Sequence, residues 1–108
     1  MVRPGMVMIH VSGKMMLGSD SDQVERLVTS YLEQSVQDFV FDLEGLTHID
    51  STGIGRFIAS YNRVAPVDGT TFRMAAATGA VRSAFRVTKL DTVFPFFDSV
   101  SEATSAVL

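Results

Sequence analysis

Phe39-Val-Phe-Asp-Leu-Glu-Gly-Leu-Thr-His-Ile-Asp-Ser-Thr-Gly-Ile-Gly55, continuing into Arg56-Phe-Ile-Ala-Ser-Tyr61, is the stretch on which the reading of the chain turns. Residues 39–43 form a short, dense apolar run, the pattern of a central parallel strand covered by helices. Ile54, Phe57, Ile58, Tyr61 and Val64 recur at three- and four-residue spacing, which predicts an amphipathic helix beginning near Thr52. Between the two lies a polar step, Asp50-Ser51-Thr52-Gly53, where a chain leaving a sheet turns into a helix. The first turn of a helix presents unpaired backbone N–H groups and the positive end of its dipole. A negative charge is stabilised there, so a serine at this step is chemically suited to act as a switch. Asp and Ser are also simply good N-caps. Capping does not account for Gly53 and Gly55, each of which costs about 1 kcal/mol of helix propensity relative to Ala. Glycines are tolerated in a helix start where something must approach the backbone closely, either another element of the fold or another protein.

Working outward, Val7, Ile9 and Val11 alternate with Met6, Met8 and His10, which predicts a strand over 6–12. Met6 and Met8 are apolar too, so both faces of that strand are expected to be covered. Residues 13–18, bounded by Gly13 and Gly18, break the pattern. Ser19, Asp20, Ser21 and Asp22 offer N-caps for a helix whose inner face is Val24, Leu27, Val28, Tyr31 and Leu32. Downstream of the central stretch, Pro66-Val67-Asp68-Gly69 is a stop and turn, and residues 71–75 read as a third strand. Thr78-Gly79 opens a short helix with Val81, Ala84, Phe85 and Val87 on its inner side. Residues 90–97 read as a further strand, in which Pro95 lacks a backbone donor and so demands a sheet edge or a bulge. Ser99 caps a last helix over 100–108. Strand and helix alternate throughout, so the expected fold is α/β: a single small domain over residues 1–108, with a four- to five-stranded mixed or parallel sheet covered by about four helices.

Composition narrows the function. A chain of 108 residues with 46% hydrophobic and 19% charged residues has the makings of one globular core and no more. Its net charge of −3 argues against tracking the phosphates of a nucleic acid. The absence of cysteine excludes disulfides and thiolate metal sites. His10 and His48 are too few for a histidine metal site, and no metal or cofactor is expected. No apolar stretch approaches the roughly 18 residues of a spanning helix, and His10 interrupts what would otherwise be a leader-like start. The expected location is the cytoplasm.

Catalytic patterns fail when tested against their geometry. Gly13-Lys14 lacks the earlier glycine of a phosphate-binding P-loop and is followed by Met15 rather than Ser or Thr. Gly53-Ile54-Gly55 lacks the third glycine of a dinucleotide fingerprint. A nucleophile elbow needs glycine two residues before and two after its serine. Around Ser51 those positions hold Ile49 and Gly53. His48 shares the same short loop, a poor arrangement for a base that must approach from another element. No catalytic residue is expected, and binding is the better reading.

Residues 43–55, Leu-Glu-Gly-Leu-Thr-His-Ile-Asp-Ser-Thr-Gly-Ile-Gly, resemble the signature of the STAS domain family, the anti-sigma factor antagonists. The similarity continues through Arg73-Met74-Ala75 and residues 81–94, and ends with Ser101-Glu102-Ala103. The resemblance implies a small α/β domain that binds an anti-sigma factor with serine-kinase activity, freeing a sigma factor and so controlling transcription. It implies Ser51 as the phosphoacceptor whose modification ends that binding, with Asp50, Thr52, Gly53, Ile54, Gly55 and Arg56 as the partner-binding surface, and a phosphatase as a possible resetting partner. A second role implied for such domains is a constitutive docking subunit of a lipid-transport ATPase or a stress-signalling complex. In one place the chain departs from the family. Where members often show Gly-Glu-Leu-Asp, this chain has Gly13-Lys14-Met15-Met16, so Met16 replaces the acid that lies near the phosphoacceptor loop. Met15, Met16 and Leu17 are expected to pack into the core or their own loop. If exposed, they would form an apolar patch beside the switch.

Overall fold

The computed structural model describes residues 4–17 and 22–105. In chain order the elements are β1 (Met6–His10), β2 (Gly13–Met15), α1 (Gln23–Glu33), β3 (Asp38–Asp42), β4 (Leu46–Ile49), α2 (Ser51–Val64), β5 (Thr71–Ala75), α3 (Gly79–Val87), a 3-10 turn (Leu90–Thr92), β6 (Phe96–Phe97) and α4 (Val100–Ser105). One sheet has the strand order β1-β3-β5-β6, and β2 and β4 form a second, smaller sheet. Every pairing among the described strands is parallel.

The apolar run that opens the central stretch becomes β3, which bonds to β1 on one side and β5 on the other. Alternation along the strands sends Val7, Ile9, Phe39, Phe41, Phe72 and Met74 to one face. There α1, α2 and α3 contribute Val24, Val28, Phe57, Val64, Val81 and Phe85 to a single core. Phe57 is its hub. Its ring stands edge-on to Phe41 at 5.6 Å and to Phe85 at 5.8 Å, the arrangement that aromatic quadrupoles favour. On the opposite face Met6, Val40 and Ala75 meet Ala103 of α4. Arg73 is buried on that side too, and its Nη1 donates to the carbonyl of Ala103 at 3.1 Å. That bond pins α4 to β5.

Several expectations are corrected in detail. Leu27 and Ile58 lie at the margins of their helical stripes, 40% and 37% exposed, and Val87 at the end of α3 is 81% exposed. Residues 90–97 do not form a continuous strand. Lys89 adopts a left-handed backbone at φ 61° and ends α3, after which the chain coils through a 3-10 turn. The amide of Phe94 donates to the carbonyl of Leu90 at 2.9 Å, so these two residues pack as one helical turn would. Only Phe96–Phe97 is extended, and it lies at the sheet edge, where Pro95 is permitted. The Pro95 carbonyl still serves the sheet by accepting from the Met74 amide at 2.9 Å. Asp22 stands at the N-cap of α1 without a capping side-chain bond, while Ser19, Asp20 and Ser21 lie outside the described residues. Ser99 does cap α4, its Oγ accepting from the Glu102 amide at 3.1 Å. The expected extension of that helix to residue 108 lies outside the described residues.

Candidate functional site

The polar step is built at the end of the small β2–β4 sheet, where β4 passes into α2. Chain leaving β4 reaches Asp50, whose backbone is extended (φ −119°, ψ −171°), and enters α2 at Ser51. Asp50 is the N-cap: its Oδ1 accepts from the Gly53 amide at 3.1 Å, and its own carbonyl accepts from Ile54 at 2.9 Å. Its other oxygen, Oδ2, accepts from the amide of Leu17 at 3.0 Å. The Asp50 amide in turn donates to the Met15 carbonyl at 3.2 Å. One residue therefore caps the helix and also ties it to the segment that follows β2. The Leu17 amide first, then that of Gly53 and more weakly that of Thr52, hold the Asp50 carboxyl below the usual carboxylate range, against the opposing effect of burial.

Gly53 answers the question raised by its helix-weakening position. A Cβ there would lie 2.2 Å from the Met15 carbonyl oxygen, 2.7 Å from Ile49 Cγ1 and 2.8 Å from Met15 Cβ. The close approach at Gly53 is made by the fold itself, through β2. Gly55 is the opposite case, since a Cβ there would meet nothing within 4 Å. Its face of the helix is open.

The residues singled out from the sequence are thus contiguous but face different ways. Ser51 and Gly55 are exposed, Asp50, Thr52 and Arg56 are half-buried, and Gly53 and Ile54 point inward. Arg56 turns toward α1, its Nη1 3.8 Å from Glu25 Oε1. The other oxygen of Glu25 accepts from Arg63 Nε and Nη2 at 3.0 and 2.9 Å, which braces α2 against α1. The apolar run that ends β2 and continues beyond it splits into three: Met15 is buried, Met16 half-buried and Leu17 83% exposed. The positioning roles of Met15 and Leu17 escaped the sequence reading. Their one signal was Gly53, which announced a close neighbour without naming it.

His48 is exposed on β4, and its Nδ1 lies 2.8 Å from Thr47 Oγ1. His10 is exposed at the end of β1, with its Nδ1 2.8 Å from Asp42 Oδ2. Each imidazole is thus engaged away from Ser51. The geometry at Ser51 is that of an exposed hydroxyl at the start of a rigidly capped helix, suited to receive a charged group.

The fold has counterparts among solved structures. The structure is similar to an anti-sigma factor antagonist from Mycobacterium paratuberculosis, with 25% identity, a TM-score of 0.85, and coverage of 97% of this chain and 87% of the other. It is similar in fold to the Bacillus cell-fate determinant SpoIIAA in its phosphorylated form, with 20% identity, a TM-score of 0.72, and coverage of 96% and 92%. A sulfate transporter family protein from Wolinella succinogenes shares the fold as well, at 16% identity, a TM-score of 0.81, and coverage of 95% and 84%. The family model of the STAS domain matches residues 1–103, and the chain belongs to the STAS domain family.

Proposed function

We propose that the chain is an anti-sigma factor antagonist that binds an anti-sigma factor with serine-kinase activity and is released by phosphorylation at Ser51. It acts as a single domain in the cytoplasm, without catalysis of its own, and controls transcription through the sigma factor it frees. The observation that carries this reading is the setting of Ser51: exposed, first in α2, and flanked by a cap locked to two separate segments. A phosphate would add about −1.5 to −2 charge there. The helix N-terminus would stabilise it, so the domain keeps its fold. The loss falls on the contact, through bulk and through repulsion between the new charge and a partner surface already fitted to the hydroxyl.

The test uses the anti-sigma factor of the same genome, purified together with this chain and ATP. Phosphate is expected on wild type and not on Ser51→Ala. Ser51→Ala binds like wild type, while Ser51→Asp folds normally and binds at least about tenfold more weakly. If both variants bind as wild type does, the switch is wrong. Stable co-purification with an ATPase, without phosphate incorporation, would instead favour the constitutive docking role.

A further inference from the structure

A cleft of about 210 Å³ opens between the first turns of α1 and the chain that passes from β1 into β2. That is room for about seven water molecules, and less than the roughly 300–1,000 Å³ of sites for larger ligands. Val11, Met15 and Leu27 give the cleft apolar walls, and His10, Lys14 and Gln23 are among its polar groups. No carboxylate lines it, although the chain carries a net charge of −3. Three of these residues are placed in ways the fold does not need. Leu27 leaves 40% of its surface exposed. Lys14 makes no ion pair among the described residues. His10 is exposed, yet its ring is fixed: Nδ1 lies 2.8 Å from Oδ2 of half-buried Asp42, whose other oxygen accepts from the Glu44 amide at 3.1 Å. An ionised carboxylate only accepts, so in the neutral imidazole the proton sits on Nδ1 and Nε2 is left as an acceptor. An exposed pair of this kind adds little to stability. In the shallower polar groove between α1 and α2, by contrast, Glu25 already faces Arg56 and Arg63.

We propose that this cleft binds a small hydroxycarboxylate. The carboxylate pairs with Lys14, a hydroxyl donates to His10 Nε2, and a short branched apolar body packs on Leu27. A single ammonium with the Gln23 amide beside it suits a singly charged carboxylate; a phosphate group gathers several charged donors. Apolar walls with a few convergent polar groups are the general form of a small-molecule site. The inference goes beyond the Ser51 switch and does not depend on it.

The probe is α-hydroxyisovalerate, titrated into the whole chain while the backbone amide resonances are followed by NMR. Saturable shifts are expected at residues 9–15 and 23–27, with a Kd of about 1 mM. Lys14→Ala is expected to weaken binding about fivefold. Isovalerate, the same acid without the hydroxyl, should bind wild type about fivefold more weakly, whereas His10→Ala should bind the two acids alike. Leu27→Ala should weaken both about threefold. Arg86→Ala, exposed on α3, should change binding less than about twofold. The substituted side chains are exposed, and melting curves check that each variant folds. No saturable shift below about 50 mM, or equal binding by Lys14→Ala and wild type, overturns the site. Equal binding of the two acids by wild type overturns the contact to His10 and with it the hydroxycarboxylate.

Discussion

The first turns of α2 have an inner and an outer side, and each carries a glycine. On the inner side Gly53 faces the Met15 carbonyl, with no room for a single added carbon, whereas on the outer side Gly55 faces open space. The same residue type, two positions apart, thus does opposite things. One is imposed by the fold, and the other is a cost to the helix that the fold does not require. The sharpest way to break this contrast is Gly53→Ala. A Cβ 2.2 Å from a backbone oxygen cannot be relieved by a rotamer change, so β2 must separate from α2. We expect a loss of about 3 kcal/mol, read as a fall in Tm of more than about 10 °C. A Tm within about 2 °C of wild type would show that β2 is not wedged there.

Next in size is Asp50→Ala, which removes the cap to Gly53 and the tie to Leu17 together. Tm is expected to fall by several degrees, while Asp50→Asn, still able to cap, recovers much of the loss. The carboxyl is held below its ordinary value in the folded chain. Its contribution is therefore complete above the unfolded value of about 4 and is lost as pH falls through the lower folded value. Melting curves between about pH 7 and pH 3 should show wild type losing this contribution in acid, with a flatter profile for Asp50→Asn. Identical profiles would mean that the N–H groups around Asp50 do not favour its charged form.

The contrast also explains what could be read from the residues alone. β3, α2 and β5 were legible because dense apolar runs and helical spacing report burial directly. The β2–β4 sheet was not. Its strands are short, and Gly13, Lys14, Thr47 and His48 are exposed, so no alternation betrays them. Residues 90–97 misled for the reverse reason. They are rich in apolar residues, but the left-handed Lys89 sends the chain into a 3-10 turn before any strand begins. At the site, the position and capping role of Asp50 were readable from local chemistry. Its bond to Leu17 crosses 33 residues and depends on tertiary placement that no local pattern encodes. The difference between Gly53 and Gly55 belongs to the same class, because helix propensity treats the two alike.

A smaller effect of opposite sign is expected at Gly55. Gly55→Ala adds a methyl group in open space within a helix, where alanine is favoured by about 0.5–1 kcal/mol. Tm should rise by about 4 °C. The methyl group also stands on the helix face that Ser51 shares, four residues away. A gain in stability accompanied by weaker anti-sigma factor binding would assign the open glycine to partner clearance. A gain with unchanged binding would leave its presence without a role in that contact.

The smallest effect on stability is expected at Ser51, the proposed switch residue. Ser51 is exposed, and its hydroxyl has no hydrogen-bond partner among the described residues. The cap belongs to Asp50, so removing the hydroxyl leaves the helix start intact. Ser51→Ala should change stability by less than about 0.5 kcal/mol, read as a Tm within about 4 °C of wild type. A larger loss would mean that the hydroxyl helps hold the first turn, and phosphate would then disturb the fold as well as the contact. A change this small makes the variant a clean test. The inner side of the turn carries the stability and the outer side is free to carry the signal, so loss of phosphate incorporation in Ser51→Ala can be assigned to the missing acceptor rather than to a damaged domain.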